Sequence, residues 1–572
     1  MSKKTGLNGL RINPRPYQIE AMRAVWLAWH KRHRRTVMIV MAGGCGKTIV
    51  FSMISNHFVK NKNNNILIIA HRGELLSQAA DKLFKSTGIQ ASVEKAELTA
   101  VGSNANVVVA SVQTLSNKKR LTQYTKDHFD YIIIDEGHRS LARSYLKIVD
   151  YFDAAKLLAV TATPMRGDGQ KMTQLYEEIA YKYPLYTAVD DGWLSPIVIM
   201  TCPLGINLDA GIKAHENERK AEGAKHERAL SLDPSERAVG YAIEPYLNQI
   251  AAEIKKHASD RKTLIFLPLI ATSKKMMKAL NDIGIESRHV DGSLNAKKRA
   301  ENENWFRNAP NGTAMCNAML WTEGYDQADI SNVVMLRATK STGLYIQAMV
   351  RGTRVLDQSI NNPGLTADQR KKIIANSDKP NMQIMDFLML SDIHNLCRPS
   401  CLVAKTPEIA AKMNEILYGP VGRSLKDVEK EAHTSLVLER EERLVQNLRG
   451  FMGNKSRKFD PVLQAVSMFD DTLVNWTPET KSEAEPITKS QEKLLKDHGF
   501  DCSGWKKGYA QKIIAAMDQR RKDGLGTAKM ARCLRQNGYG DAALKMSYDD
   551  AHAAMGKLSA KWKRQKEYRN RR

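Results

Sequence analysis

Two short stretches of this chain carry residues suited to handling a nucleoside triphosphate. The first, VMAGGCGKT, ends on Lys47 and Thr48. Gly44 and Gly46, with Cys45 between them, let backbone N–H groups close around a phosphate without a Cβ in the way. Lys47 is then placed to reach the β- and γ-phosphates, and Thr48 to set its hydroxyl on Mg²⁺. The second stretch, YIIIDEGH, is an apolar strand whose tip presents Asp135 and Glu136. Asp135 would hold Mg²⁺ through water, and Glu136 would orient and deprotonate the attacking water. Together they predict NTP hydrolysis, with ATP and Mg²⁺ as the cofactors.

Those residues need strands to hold them. TVMIVM, NILIIA, ANVVVA, YIIIDE and KLLAVTA are near-continuous apolar runs separated by helix-like stretches, the pattern of buried parallel strands in a doubly wound α/β domain. A second series, KTLIFLP, SRHVDG, GTAMCNAML, ISNVVMLRA and NMQIMDF, predicts a second α/β domain in tandem. Between them the stretch 201–240 is charged and reads as a connector or insertion. Beyond residue 402 the β signal fades. Residues 403–480 read as a helical extension ending near a linker, KSEAEPITKS, and 481–572 as an all-α domain. That last segment contains a weak internal repeat, in which Thr488, Leu495 and Gly499 recur as Thr527, Leu534 and Gly538.

Bulk properties limit the partners. The chain has 572 residues, 42% of them hydrophobic, too many for one core. Its net charge of +25 suits a polyanion such as DNA or RNA. No apolar run approaches the roughly 20 residues that span a bilayer, and the N-terminal stretch has no signal-peptide core, so a cytoplasmic protein without a membrane partner is expected. The seven cysteines lack framework spacing. His394, Cys397 and Cys401 offer three metal ligands with no evident fourth, and no metal site is assigned to them.

The order of these motifs over about residues 10–400 resembles helicase superfamily 2, in which Met41 in place of a phosphate-loop glycine is usual. The resemblance implies two tandem RecA-like domains, over 1–200 and 241–402. It implies that Gln18, with Arg15 and Tyr17 beside it, reads the adenine edge. DEGH resembles a DEAH-type box with Gly137 for alanine. His138 is then implied to link the ATP state to the interdomain cleft, and Thr161 and Thr163, in TATP, to couple hydrolysis to strand separation. TEGYDQADI resembles the motif in which Gly324 and Asp326 face both ATP and strand, with Thr322 a nucleic-acid contact. QAMVRGTR resembles the arginine-finger motif, with Gln347, Arg351 and Arg354 in place and Val350 where glycine is usual. Arg72, Gln113, Thr114, Asp291 and Gly292 fall where the superfamily grips a nucleic-acid backbone. The run from Thr322 to Arg354 is most similar to RadD-like bacterial helicases and their phage-encoded relatives.

Outside the motifs, KRHRR (Lys31 to Arg35) and the C-terminal tail with Trp562 and Tyr568 mix charge with aromatics, as phosphate pairing and base stacking would require. A solvated tail fits that composition equally. Trp321 and Tyr325 are read either as a stacking wedge or as core. The leading expectation is a DNA helicase of replication, repair or recombination, moving along single-stranded DNA. A duplex translocase, an RNA helicase and an adaptor with an inactive ATP site are the alternatives.

Overall fold

The computed structural model describes residues 9–70, 73–137, 140–162, 175–202, 204–221, 236–318, 327–387, 396–404, 407–417, 422–436 and 478–570, apart from 479, 499, 501, 503, 540 and 541. Two seven-stranded sheets lie in tandem along the chain. The first comprises β1 (Thr36–Met41), β2 (Ile66–Ala70), β3 (Ser92–Glu94), β4 (Val107–Ser111), β5 (Tyr131–Asp135), β6 (Lys156–Thr161) and β7 (Glu178–Tyr183). Their order is β3-β4-β2-β5-β6-β1-β7, and every pairing is parallel. Parallel neighbours need crossover connections, and helices such as Lys47–Lys62 and Gly73–Thr87 supply them. The five apolar runs expected in this half are β1, β2, β4, β5 and β6. β7, EIAYKY, escaped that reading because it is only partly buried along its length and carries no continuous apolar run.

The register decides where the chemistry lies. β5, β6 and β1 are adjacent, with Asp135 opposite Val160 and Thr161 opposite Val40. The carboxyl ends of these strands therefore bring the loop after Met41, the tip at Asp135 and the turn after Thr161 to one edge of the sheet. Ligands of open parallel sheets bind at that edge.

The second sheet contains β8 (Ile197–Thr201), β9 (Thr263–Leu267), β10 (Ser287–Asp291), β11 (Ala314–Ala318), β12 (Asn332–Met335), β13 (Met382–Asp386) and β14 (Arg423–Ser424), in the order β10-β11-β9-β12-β13-β8-β14. The fold is thus two tandem RecA-like parallel-sheet domains with a helical C-terminal region. Two details differ from the sequence reading. β8, within the stretch assigned to the first domain, runs parallel to β13 in the second sheet. The charged 201–240 stretch contributes Ile206, Leu208, Ile212, Ala238 and Val239 to that domain's hydrophobic core. Its helices Leu208–Ala221 and Glu236–Ile243 are amphipathic, and the charged faces masked the apolar ones.

The polypeptide divides into two compact units, the second formed by residues 405–409 and 432–572. Within it, two helical hairpins repeat one plan. Leu495 is fully buried with Phe500, Ala510 and Ile513; Leu534 is fully buried with Ala543, Ala551 and Ala554. Thr488 and Thr527 cap the leading helices through hydrogen bonds from Gln491 N and Met530 N. Each hairpin is closed by an isolated bridge, Pro486 to Lys506 and Leu525 to Ser547. KSEAEPITKS, read as a linker, is folded here: it contains helix Lys481–Ala484, and Glu485 pairs with Lys507 at 2.8 Å. Among the described residues, no helix is long and apolar enough to cross a membrane.

Candidate nucleotide cleft

The phosphate loop leaves β1 at Met41, which is fully buried, and enters a 16-residue helix at Lys47. Gly44 (φ 83°) and Gly46 (φ 73°) take left-handed backbone, which L-residues adopt only with strain. The first-turn N–H groups of the helix, with its dipole, form an anion site at that end. Cys45 is buried to the point that its thiol is pushed up to about 12 and is inert at neutral pH. Its carbonyl oxygen accepts two hydrogen bonds of 3.0 Å, from Tyr17 Oη and Gln18 Nε2. Gln18 Oε1 in turn accepts the backbone N–H of Arg15 at 2.9 Å. The Gln18 amide thus ties the cap of helix Pro16–His30 to the phosphate loop.

Asp135 and Glu136 stand opposite that helix terminus. Burial, then Glu136, push the Asp135 carboxyl up to about 6, against the pull of Lys47 and Lys82. Lys82, on helix Gly73–Thr87, was not singled out by sequence; nothing in its local pattern marks it, and the fold alone brings its charge near Asp135 and Arg354. Glu136 has left-handed backbone (φ 53°), which a non-glycine residue adopts only with strain. Gly137 stands where alanine is usual, and the packing explains why. A Cβ there would lie 2.6 Å from the Ala159 Cβ on β6. Thr48 hydroxyl and Asp135 carboxylate are hard oxygen donors that fit Mg²⁺, and a cation there would relieve the charge crowding that raises Asp135.

The second sheet reaches this site through helix Thr342–Met349 and the 3-10 turn Val350–Thr353. Gln347 Nε2 donates to Glu136 Oε2 at 3.4 Å across 211 residues of sequence. Val350 packs on the phosphate loop so closely that a Cβ on Gly43 would meet its Cγ2 at 2.4 Å. The Val350 backbone is right-handed (φ −66°), so valine fits where glycine is usual. Arg354 passes beside Gly44, where an added Cβ would sit 3.6 Å from its Cγ. Burial, then Arg15, bring the Arg354 guanidinium down to about 10, still charged at neutral pH. The Arg351 and Arg354 charges both act on Lys82.

Beside Gly44 opens a cavity of about 460 Å³ lined by Arg15, Trp193, Arg307, Asp329 and Arg354. Trp193 is flanked by two guanidinium groups, Arg15 at 4.8 Å and Arg370 at 4.0 Å from its ring centre. Tyr17 stacks on Tyr183 at 4.2 Å. Trp193 and Asp329 lay outside the sequence reading because neither sits in a motif; a buried tryptophan between two arginines is visible only in three dimensions.

The expected nucleic-acid contacts divide. Gln113 is exposed, with Ser111 Oγ donating to its side-chain oxygen at 2.7 Å. Thr114 Oγ1 accepts the N–H of Ala96 at 3.0 Å. Asp291, expected to grip the backbone, is 1% exposed and spent internally. Its Oδ2 takes His289 Nε2 at 2.5 Å, and its Oδ1 takes the Ser293 N–H and hydroxyl at 2.6 and 2.5 Å. A carboxylate so satisfied positions the exposed Gly292 turn and does not itself face a phosphate. KRHRR is partly spent too: Arg32 and Arg34 pair with Glu178, and Arg35 Nε donates to the Ala155 carbonyl. Thr161 is fully buried at the end of β6. Arg72, His138, Thr163, Trp321, Thr322, Gly324, Tyr325, Asp326 and His394 lie outside the described residues, as do the side chains of Trp562 and Tyr568. Among the described residues, no group of three His, Cys, Asp or Glu could hold a metal.

Comparison with known proteins bears on the same two halves. Residues 11–166 match the family model described as the type III restriction enzyme res subunit. Residues 245–355 match the helicase conserved C-terminal domain. The chain belongs to helicase superfamily 2. Among its superfamily 2 relatives is IRC3 of Saccharomyces cerevisiae, provisionally named an ATP-dependent helicase. It is 25% identical over 505 residues, covering 85% of this chain and 64% of that protein. A 51.5 kDa protein of a Lactococcus phage is 27% identical over 317 residues, covering 55% and 62%. The type I restriction enzyme EcoAI endonuclease subunit of Escherichia coli is 25% identical over 378 residues, covering 61% and 45%. The chain thus spans less than two thirds of each of these three proteins.

Proposed function

We propose that this chain is an ATP-driven DNA motor, a helicase that couples hydrolysis between its two RecA-like domains to movement along single-stranded DNA. The observation that carries the reading is the junction of the two sheets. Gln347 meets Glu136, and Val350 seats on the phosphate-loop glycine Gly43. An NTPase needs only Lys47, Thr48, Asp135 and Glu136. A second domain that delivers Arg351 and Arg354 to the same loop makes the site a cleft whose closure depends on the nucleotide. Bound Mg²⁺ would neutralise phosphate charge between Thr48 and Asp135. Glu136 takes the proton of the attacking water, while Lys47 and the two arginines offset charge on the phosphates.

The net charge of +25 suits either nucleic acid; DNA is favoured by relatives named as restriction-enzyme subunits. The proposed role is replication, repair or recombination; the proposed compartment, the cytoplasm of a bacterium or phage-infected host, is supported by the Lactococcus phage relative. ATPase activity is expected to rise severalfold with single-stranded DNA and to vanish in Lys47→Ala while the melting temperature holds. Strand-displacement assays then separate a helicase from a duplex translocase, and RNA in place of DNA tests the RNA reading. ATPase indifferent to every nucleic acid would sink the motor.

A further inference from the structure

We infer that Lys379 is a positioning residue for the arginine finger, its buried ammonium group fixing the backbone of Arg354 to that of Ala328. The inference rests on the ATPase reading above and names a residue outside every motif in it. Lys379 lies in the loop before β13 and is 2% exposed. Its Nζ donates to the carbonyl oxygens of Arg354 at 2.7 Å and Ala328 at 2.5 Å. A buried ammonium is costly unless hydrogen-bonded, and an apolar side chain would fill the same space with less desolvation. What the ammonium adds is a link between two segments that share no strand pairing.

Both ends of the link are held by other contacts. On one side, Ser195 grips the same turn, its N–H donating to the Thr353 carbonyl at 2.7 Å and its hydroxyl to the Arg354 carbonyl at 3.3 Å. On the other, residues 327–329 are tied down by neighbouring bonds. Gln327 Nε2 donates to the Phe306 carbonyl at 3.1 Å, and Asp329 accepts a second buried lysine, Lys262, at 2.6 Å. Arg354 and Asp329 both line the cavity beside Gly44. The Arg354 backbone therefore cannot shift without disturbing the cavity wall at Ala328. Without the link the turn keeps its Ser195 bonds and loses its tie to Ala328, and misplacement of the finger by about 1 Å can cost about 10²-fold in rate.

Lys379 also has an unusual charge balance. Burial brings its ammonium down to about 7; Asp329 pulls it up, and Arg354 and Arg261 press it further down. Lys262, on the other side, neutralises Asp329. Above neutral pH the ammonium loses its charge and its grip on two carbonyl dipoles weakens, so turnover falls. Folding responds in the opposite direction. A lysine titrating lower in the folded than the unfolded chain binds fewer protons when folded, so its contribution to stability rises with pH from about 7 towards the ordinary lysine range.

The test is steady-state ATPase of the full chain with saturating single-stranded DNA, for wild type, Lys379→Met and Lys379→Gln. Met keeps the stem and removes the donors; Gln keeps an uncharged donor. In Lys379→Met, kcat is expected to fall about tenfold or more with KM for ATP within about twofold, and Lys379→Gln to lie between. The wild-type decline of kcat above neutral pH should be missing from both variants. Equal kcat in Lys379→Met and wild type, or loss of kcat matched by loss of ATP binding, overturns the inference. Should neither variant fold, a wild-type kcat level from about pH 6.5 to about pH 9 overturns it as well. Wild type without ATPase activity would instead overturn the motor reading, so the two failures are distinct.

Discussion

Asp135 and Asp291 occupy the same kind of place, the carboxyl end of a parallel strand, one in each sheet, and they meet opposite fates. Asp135 ends β5 beside Glu136, with one backbone N–H on its carboxylate, and burial, then Glu136, drive its proton affinity up to about 6. Asp291 ends β10 and is also buried, which by itself would raise it. The Ser293 hydroxyl and N–H and then His289 outweigh burial, and its net direction is down. His289 is itself held neutral by burial, with Ser273 at 2.7 Å from its Nδ1, so Nε2–H is the donor to Asp291. The contrast separates the acid proposed to hold Mg²⁺ from a structural one. The first keeps lone pairs in reserve at a cost in stability, while the second has spent them on holding a turn.

The largest effect that tests this contrast is Asp135→Asn, which should lower ATPase activity by about 10³-fold or more, measured at saturating Mg²⁺ and ATP. The same variant, without nucleotide, should melt higher than wild type at pH 7.5. A raised carboxyl favours the protonated folded state, so wild-type stability from this group falls as pH rises through about 6; the gap should close at lower pH. A variant that melts lower at pH 7.5 would show Asp135 to be structural. Asp291→Asn should behave in reverse, losing about 2–3 kcal/mol in denaturant unfolding through weakened bonds to His289 and Ser293. Because its carboxyl is held down, that gap should persist to below pH 4.

Two packing variants probe the edge around Asp135 more finely. Gly137→Ala restores the usual residue of the superfamily, yet its Cβ would collide with Ala159. It is expected to cost about 1–3 kcal/mol and to be rescued by Ala159→Gly in a double-mutant cycle. Additive effects in that cycle would refute the collision. Val350→Ala, loosening the seat on Gly43, should cost about 1 kcal/mol in thermal unfolding and slow ATPase only severalfold.

Much of the site could be read in sequence because it is made of local patterns. The phosphate loop and the acid pair each sit at the end of an apolar strand, and strand, glycine turn and helix follow one another within a few residues. All ten expected strands formed for that reason. β7 and β8 were misread or missed because a partly buried strand has no apolar run, and because pairing partners, unlike strand propensity, are not written locally. Asp291 was misjudged for a related reason. An acid in HVDG looks available until Ser293 and His289 are seen to enclose it.

The sequence by itself determined the glycine turn, the acid pair at a strand end and the two-sheet plan, since glycine conformations, strand burial and short-range spacing are properties of neighbouring residues. Only the tertiary structure decided which charges are spent and which are held in reserve. It turned Gln18 onto a carbonyl of the phosphate loop, closed Asp291 within its own turn, and set Lys379 under Arg354 from a loop no motif marks. Hydrogen-bond partners and desolvation depend on what folds against a residue, and that is fixed by contacts between segments far apart in the chain.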